Sequence, residues 1–395
     1  MRGLRFVTAG ESHGPAEVCV LEGVPAGLRV DAASIDRDLA RRQRGYGRGG
    51  RMDIERDRVQ ILAGVRLGRT LGTPVCLRVE NRDHASWRPS MQPEFAEGWT
   101  AEAVTVPRPG HADLAGMAKY DTEDARDVLE RSSARETVGR VAAGSVARLL
   151  LAEVGVEVRG FVRSLGGVGL LTGLSGLDPA EIDWAAVDSS ECGCPDSAVE
   201  EEMRGLVDAC RTSGESLGGV FEVWAWGMCP GVGGFASVGE RLDGRLMGAL
   251  GGIPAIKGVE VGMGFAAAGL LGSEVHDPLH AGDGAVVRRT NRAGGLEGGM
   301  TNGMPIIVRA AMKPIPTLMK PLASVDLRDG SEVSAHKERS DVEAVAAARV
   351  VGEAMVALEL ASAYLEKFGG DTVGQLRAAV RAYEERLEER GLWHR

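Results

Sequence analysis

The 395-residue chain is 44% hydrophobic and 26% charged, ordinary shares for a globular protein that exclude intrinsic disorder as its main state. Its formal net charge of −10 argues against a nucleic-acid partner, which usually requires a basic surface. No apolar run reaches the ~18 residues of a membrane span and the N-terminus lacks a signal peptide, so we expect a cytoplasmic protein without a membrane partner.

Short apolar runs bounded by glycine and proline predict strands, and apolar residues at helical spacing predict helices. We expect strands over 4–9, 17–21, 59–65, 74–79, 156–164, 220–226, 256–261 and 305–312. We expect helices over 34–44, 133–153, 196–212, 240–250, 340–368 and 371–390. Ser133 with Glu136, and Ser340 with Glu343, have the spacing of capping boxes. Residues 81–113 form a long polar segment, and a segment of this kind is usually functional or disordered.

Two segments of the chain hint at an internal repeat. Residues 14–20 and 219–225 each predict a strand that is followed by a Pro-x-Gly turn and then by a helix. A duplicated sheet-and-helix unit explains this, although chance matches are common in glycine-rich chains. We therefore expect one domain over 1–395, with two similar halves at approximately 1–215 and 216–395.

Arginine is concentrated in one segment that predicts a bound anion. The chain has 40 arginines and only six lysines, and six of the arginines fall between Asp36 and Arg51 beside only two acids. Arginine makes bidentate contacts to phosphate and carboxylate. The glycine-rich run Gly45–Gly50 fits G-x-G-x-x-G, but a helix precedes it, so a dinucleotide fold is not supported. We interpret it as a loop that brings Arg48 and Arg51 close to an anion.

Two histidines lie in turns suited to proton transfer. His13 stands in Gly-Glu-Ser-His-Gly after an apolar strand, and His111 stands in a loop between Arg108 and Asp113. Imidazole is the usual acid or base near neutral pH, although a structural histidine is the alternative for His13. His276 and His280 have ligand spacing, but Pro278 separates them, and we expect no metal site.

Two further segments offer groups that bind phosphate. Ser132 and Ser133 stand at a predicted helix start, between Arg131 and Arg135, and helix N-termini bind phosphate through their free amides. The segment 313–317 breaks a strand with two prolines and presents a lysine and a threonine hydroxyl.

Taken together, seven segments resemble the chorismate synthase family, in that family's order. They are GESHG (10–14), RRQRGYGRGGRM (41–52), RPGHAD (108–113), SSARET (132–137), NRAGGLEGGMTNG (291–303), MKPIPT (312–317) and RSDVEAV (339–345). The resemblance implies a lyase that converts 5-enolpyruvylshikimate 3-phosphate to chorismate by 1,4-anti elimination of phosphate, at the end of the shikimate pathway of aromatic amino-acid biosynthesis. It also implies reduced FMN without net redox change, an α+β fold that is a β-α-β sandwich with internally duplicated halves, and a homotetramer.

The resemblance also assigns roles to individual residues. His13 would protonate the departing phosphate, His111 would stabilise reduced flavin near N1, and Asp341 would assist proton movement at flavin N5. The implied FMN contacts are Arg131, Ser132, Ser133, Ala255, Gly298, Lys313, Pro314, Ile315, Pro316, Thr317 and Arg339. The implied contacts to substrate, or for the first two also to NADP, are Arg42, Arg48, Arg51, Arg108 and Arg135.

One departure and two alternatives remain at this point. Family members often carry Gln or Asn where this chain has Pro254, so an amide contact to FMN is lost there. An NADP-dependent flavin oxidoreductase would also use arginine and glycine-rich loops, but the dinucleotide context is missing. An RNA-binding protein could use the arginine cluster, but the 4% aromatic content leaves few stacking platforms. The resemblance does not decide whether NADPH reduces the flavin.

Overall fold

Two antiparallel sheets enclose a layer of helices in the computed structural model, which describes residues 3–49, 56–94, 101–170, 174–282, 284–336 and 341–394. The strands are β1 (Arg5–Ala9), β2 (Ala16–Glu22), β3 (Val59–Ala63), β4 (Val65–Arg66), β5 (Arg69–Thr70), β6 (Val75–Glu80), β7 (Glu157–Leu165), β8 (Val168–Gly169), β9 (Gly219–Trp226), β10 (Ile256–Val261), β11 (Leu279–Ala281), β12 (Val286–Arg288), β13 (Leu296–Glu297), β14 (Met300–Thr301), β15 (Ile306–Met312), β16 (Ala323–Val325) and β17 (Glu332–Ser334). The helices are α1 (Ala32–Gln43), α2 (His84–Trp87), α3 (Asp113–Tyr120), α4 (Arg126–Ser132), α5 (Thr137–Ala152), α6 (Trp184–Ser189), α7 (Ser197–Ser213), α8 (Leu242–Gly251), α9 (Gly272–Val275), α10 (Val345–Phe368) and α11 (Val373–Glu389).

The two sheets differ in which part of the chain builds them. The first has the strand order β1-β2-β6-β3, and the second has the order β10-β15-β9-β7-β8. Neighbouring strands in both sheets are antiparallel. In β2 the buried residues Cys19 and Leu21 alternate with less buried ones, as expected for a strand with one face toward the core.

Helices α5 and α10 form the centre of the layer between the sheets. Helix α5 packs on β2 and β6 of the first sheet, and α10 packs on β7 and β9 of the second. The two helices approach closely because Gly144 has no side chain; a Cβ there would lie 2.3 Å from the Cβ of Ala354. Helix α10 is buried on nearly all sides, which is why its sequence is apolar without a polar stripe.

A buried carboxylate ties three helices of this layer together. Glu353 on α10 accepts hydrogen bonds from Arg41 on α1 at 2.6 and 2.7 Å and from the backbone N–H of Gly160 at 2.8 Å. Arg148 on α5 lies 3.5 Å away. Burial alone would raise the pKa of Glu353, but the surrounding arginines, Arg41 first, lower it to about 2. The carboxylate is therefore an ionised structural centre.

The predicted strands are confirmed within a few residues, and the capping box of Ser133 with Glu136 is wrong. Glu136 binds Arg140 instead of closing a box, so a 3₁₀ turn over Ala134–Glu136 precedes α5. Helix α10 begins at Val345, because the Glu343 carboxylate accepts the N–H groups of Val345 and Ala346. Ser340 lies outside the described residues.

The α+β sandwich expected from the resemblance is confirmed. Mixed helices and sheets are arranged as sheet, helices and sheet. The division into similar halves near residue 215 stays a prediction, and the second sheet takes β7 and β8 from before that point. The glycine-rich region 262–304, which lacked periodicity, contains the short hairpins β11–β12 and β13–β14. Among the described helices, none is long and apolar enough to span a membrane.

Candidate active site

His13 is held by one carboxylate on a neighbouring helix. Its backbone N–H donates to Glu130 Oε2 at 2.8 Å, and its ring Nδ1 lies 2.9 and 3.1 Å from the two carboxylate oxygens. The ring also stacks on Trp87, with centroids 4.0 Å apart. Arg126 lies over the ring of Trp87 and donates a hydrogen bond to Glu130 at 3.0 Å. His13, Glu130, Trp87 and Arg126 are called the His13 cluster below.

Local packing explains why Glu130 reaches His13. Helix α4 is anchored by a small apolar core of Val104, Met117, Ala125, Val128 and Leu129. The N–H of Ser12 donates to the Glu130 carbonyl at 2.9 Å, so the turn after β1 lies directly on the helix. The Asn81 amide supports the same turn by donating to the carbonyls of Glu11 and Gly14.

Two of the predicted anion-binding arginines share a single buried carboxylate. Arg135 donates to Asp57 at 2.6 Å and to Asn81 at 2.7 Å, whereas Arg42 contacts Asp57 only at 3.4 Å. Burial, reinforced by Arg135 and Arg48 and opposed by Asp57, lowers the pKa of Arg42 to about 10. Among the described residues, no hydrogen-bond acceptor is found for Arg42 Nε. Arg42 and Arg135 therefore lie against the same carboxylate, and Arg48 is close enough to act on Arg42.

The glycine loop after α1 brings Arg48 to Asp341. Arg48 Nη1 lies 2.8 Å from Asp341 Oδ2, and the N–H of Gly49 donates to the other oxygen at 2.6 Å. Gly47 has a φ of +83°, and a Cβ there would lie 2.7 Å from Val207, so the loop needs glycine at this position. Asp341 precedes α10 by four residues and does not lie in its first turn.

His111 belongs to a second polar cluster, at the start of α3. Its Nδ1 pairs with Asp113, whose other oxygen accepts from Arg108 Nε at 2.9 Å. Burial raises the pKa of Asp113, but hydrogen bonds from His111 and Arg108 outweigh this and hold it well below its usual range. Arg108 also donates to the Thr317 hydroxyl at 3.3 Å, and Lys313 donates to the Gly110 carbonyl.

Comparison with known proteins decides the family. A profile of the chorismate synthase family matches residues 4–365. The chain is 54% identical to the chorismate synthase of Desulforudis audaxviator, over 97% of this chain and 98% of the relative. It is 55% identical to that of Rubrobacter xylanophilus, over 97% of each chain.

The chain belongs to the chorismate synthase family. A crystal structure described as that of a chorismate synthase has a TM-score of 0.80 with this chain and is 39% identical, covering 98% of this chain and 99% of the other. The family assignment inferred from the seven segments is confirmed.

The chorismate synthase resemblance also implied FMN contacts, which fall in three places. The first place contains Arg131, which donates to Thr8 and Gly10 and has a side chain that is 42% exposed. Ser132 and Ser133 follow it, and the Ser133 hydroxyl donates to Ser12 at 3.1 Å. A second group is Ala255 and the segment 313–317. The N–H of Lys313 donates to the Ala255 carbonyl, and Ser216 donates to the Ile315 carbonyl between Pro314 and Pro316.

The third place is Gly298, in the turn between β13 and β14. This hairpin packs on α8, where the N–H of Leu242 donates to the Gly299 carbonyl. Arg339 and Arg51 lie outside the described residues. The binding roles of all these positions stay predictions.

Tertiary contacts change the local expectation for two groups of side chains in this chorismate synthase family member. The small neighbours Ser12 and Gly14 predict few local packing partners for His13, but it stacks on Trp87 and binds Glu130, because residues 81–87 fold back over it. The arginine-rich segment 37–51 was expected to mark a bound anion, and its described arginines have several different partners. Arg41 instead binds Glu353 in the helix layer, and Arg44 donates to the Asp188 carbonyl.

Several residues of the site were missed from sequence. Glu130 and Asp57 look like ordinary surface acids in the sequence, and their partners are distant along the chain. Trp87 had one signal, since a tryptophan in a long polar loop is unusual. Asp113 stood within the family segment RPGHAD but was given no role.

Glu17 provides a test of the electrostatics beside Arg131. This buried β2 carboxylate lies 3.4 Å from Arg131, and burial raises its pKa to about 7 despite Arg131 and Arg135. A raised pKa means that folding is favoured when Glu17 is protonated. Its contribution is thus fully present below about pH 4.5 and is lost as the pH rises through 7. We expect Glu17→Gln to be more stable than the natural protein by about 1–3 kcal/mol at pH 8 and not at pH 4.5.

Urea unfolding of both proteins at the two pH values measures this difference. Glu22→Gln is the matched control, because Glu22 lies on the same strand with its side chain 54% exposed. A Glu17→Gln variant that is less stable at pH 8 would show that the ionised carboxylate is favoured in the fold.

Proposed function

We propose that this chain catalyses the chorismate synthase reaction, the 1,4-anti elimination of phosphate from 5-enolpyruvylshikimate 3-phosphate. Family membership supports the reaction, and the observation that carries it to particular residues is the proximity of three arginines: Arg135 and Arg48 both lie near enough to lower the pKa of the buried Arg42. The substrate is a phosphate ester with two carboxylates. Neighbouring guanidinium groups recognise such an anion through charge-assisted hydrogen bonds.

His13 acts as the acid for the leaving phosphate in this proposal. Its Nδ1 is taken by Glu130, so Nε2 is the ring nitrogen left to donate a proton to the substrate. His111 and Asp341 are proposed to act at the flavin. Asp113 holds the His111 ring through Nδ1, which fixes its orientation for a position next to the reduced flavin.

The residues fit a bound FMN. Lys313 and the partly exposed Arg131 supply cations, and Thr317, Ser132 and Ser133 supply hydroxyls, which is the donor set that a phosphate and a flavin ring accept. Ala255 has a φ of +68°, a costly conformation for a residue with a side chain and one found mostly at functional sites. When bound, reduced FMN supplies electrons that return within the same turnover, because the elimination is redox-neutral. Because Pro254 has no side-chain amide, Pro254 and Ala255 can contact the cofactor only through backbone groups.

Three finer properties are proposed from the family alone. They are a homotetramer, a cytoplasmic location and a possible use of NADPH at Arg42 and Arg48 as the source of reduced flavin. Exposed Phe235, Val238, Phe265 and Leu271 are apolar side chains that a subunit interface would cover. Light scattering at micromolar concentration tests the tetramer, and a monomer would reject it.

The reaction is tested by incubating the protein with the phosphorylated substrate and FMN. We expect equal amounts of phosphate and chorismate under anaerobic conditions with chemically reduced FMN, and none with oxidised FMN. Reduced flavin should not be consumed in proportion to product. Oxidation of one flavin per turnover would instead support the NADP-dependent oxidoreductase. Repeating the assay aerobically with NADPH shows whether the protein reduces its own flavin.

Arg48→Ala should weaken binding of the phosphorylated substrate. Loss of one charge-assisted contact costs about 1.5–3 kcal/mol, which is roughly a 10- to 150-fold higher dissociation constant. Equilibrium binding of the substrate to the FMN-loaded enzyme measures this. Arg37→Ala is the control, because Arg37 lies exposed on α1 and contacts Ser34. Unchanged substrate affinity in Arg48→Ala would remove this loop from the anion site.

A further inference from the structure

We propose that Glu130 is a positioning residue, which fixes the ring of His13 and stabilises its protonated form so that Nε2 delivers the proton to the leaving phosphate. The inference rests on the proposed function, because it assigns a partner to the proposed acid.

The geometry fixes His13 in three ways. Glu130 holds the backbone N–H and the ring Nδ1 of the same residue, so the carboxylate sets both the main-chain position and the ring rotation. Trp87 stacks on the ring with planes 29° apart and blocks one face. The side chains of His13 and Glu130 are 12% and 4% exposed, so water competes little for the pair. Within the part of the chain that the structure describes, Glu130 occupies Nδ1, and Nε2 is the nitrogen left for the substrate.

The charged groups around His13 lie on two neighbouring helices. Glu130 is the carboxylate in contact with the ring, and burial raises its pKa, but hydrogen bonds from His13 and Arg126 outweigh this and lower it. Glu130 is therefore ionised at neutral pH. Arg126 on α4 donates to Glu130 and lies against Trp87, and His84 on α2 has Nδ1 2.9 Å from the His13 carbonyl. Arg126 neutralises part of the carboxylate charge while keeping it in place for His13.

The overall elimination breaks the C–O bond to phosphate and one ring C–H bond, and the C–H electron pair becomes part of the new conjugated double bonds as the ring proton leaves. When the C–O bond breaks, the bonding electrons stay on the phosphate oxygen, and the Nε2 proton moves to the phosphate group. The imidazole left behind is neutral with its remaining proton on Nδ1, which is the tautomer that Glu130 accepts. Solvent returns the proton to Nε2 after product release. Glu130 acts through His13 and does not touch the substrate.

Glu130→Gln tests the inference, because it keeps the size and one acceptor oxygen but removes the charge. An adjacent opposite charge commonly shifts a titration by one unit or more, so we expect kcat at pH 7.5 to fall about tenfold or more. The alkaline limb of the kcat profile should move to lower pH, and most of the natural rate should return near pH 6. KM for the substrate and FMN affinity should change less than twofold. Glu130→Asp should recover part of the rate.

Asp127→Asn is the matched control, since Asp127 lies on the same helix and accepts from the Thr122 hydroxyl. It should leave the pH profile unchanged. A second measurement needs no activity. In protein labelled with ¹⁵N-histidine, the neutral form of His13 should carry its proton on Nδ1, and this preference should weaken in Glu130→Gln.

The outcomes separate this inference from the proposed function. If the natural protein forms no chorismate, the proposed function is wrong, and the nitrogen spectra still report on the pair. If His13→Ala keeps its rate, the role of His13 is wrong. If the natural protein is active and His13 is required, an unshifted pH profile in Glu130→Gln overturns the inference. An equal drop in kcat at every pH also overturns it, since that indicates misplacement without an effect on protonation.

Discussion

His13→Ala is expected to lower kcat by about 10²–10⁴-fold, the usual contribution of a positioned general acid. Phosphate is a poor leaving group when it departs as a trianion, and this variant has no imidazole to protonate it. FMN affinity should be nearly unchanged, since the implied flavin contacts lie on other residues. Steady-state rates with chemically reduced FMN, together with flavin titration, measure both quantities.

The same variant should also lose stability. It removes a stacked ring pair, worth about 0.5–1.5 kcal/mol, and leaves the buried Glu130 carboxylate with fewer donors. The thermal unfolding of the variant must therefore be measured as well, and the kinetics must be recorded at a temperature where the variant is folded. His84→Ala is the control. His84 lies in the same region, and its ring contacts the backbone carbonyl of His13. A folded His13→Ala enzyme with near-normal kcat would end the assignment of His13 as the acid.

Glu353→Ala is expected to lower the free energy of unfolding by about 3–5 kcal/mol, because it leaves Arg41 buried without its main partner. The Glu353 side chain is 1% exposed, so water cannot replace the carboxylate. Its pKa is lowered to about 2 by Arg41 and the other arginines against the effect of burial. The stabilisation is thus present above about pH 4.5 and is lost as the pH falls toward 2. The difference in free energy of unfolding between the natural protein and Glu353→Ala, measured by urea unfolding, should therefore shrink over that pH range.

Glu359→Ala separates this effect from a general loss of helix charge. Glu359 lies on the same helix, pairs with Arg245 and is 29% exposed. An exposed pair of this kind contributes up to about 1 kcal/mol. Equal losses in the two variants would show that the buried network does not stabilise the helix layer.

The sequence predicted those parts of the fold that depend on local patterns. Alternating or continuous apolar runs marked β2, β6, β9 and β15, and the long apolar stretch marked α10. The start of α5 was misjudged because Glu136 has two possible partners, and Arg140 one turn later is the one it binds. Short hairpins in residues 262–304 had no periodic signal, because strands of two or three residues are too short to show one.

The sequence identified the histidines and arginines of the candidate site, but it did not identify the residues that hold them in place. Family segments identified His13, and they could not identify Glu130, which is 117 positions away in the chain. Charge alone could not sort the arginines either. Arg41 and Arg42 are adjacent in sequence, yet the helix turns one toward Glu353 and the other toward Asp57. Such sorting depends on tertiary packing.

The bonds that tie the His111 loop to residues after β15 have a consequence for folding. Arg108 meets Thr317 across 209 positions, and Lys313 meets Gly110 across 203. Closing such long chain segments is slow, because the entropy cost of ordering the chain is incurred before the contacts form. A nascent chain that has not yet reached residue 313 lacks the partners of this loop. Catalytic competence should therefore appear late in refolding, after most of the secondary structure has formed.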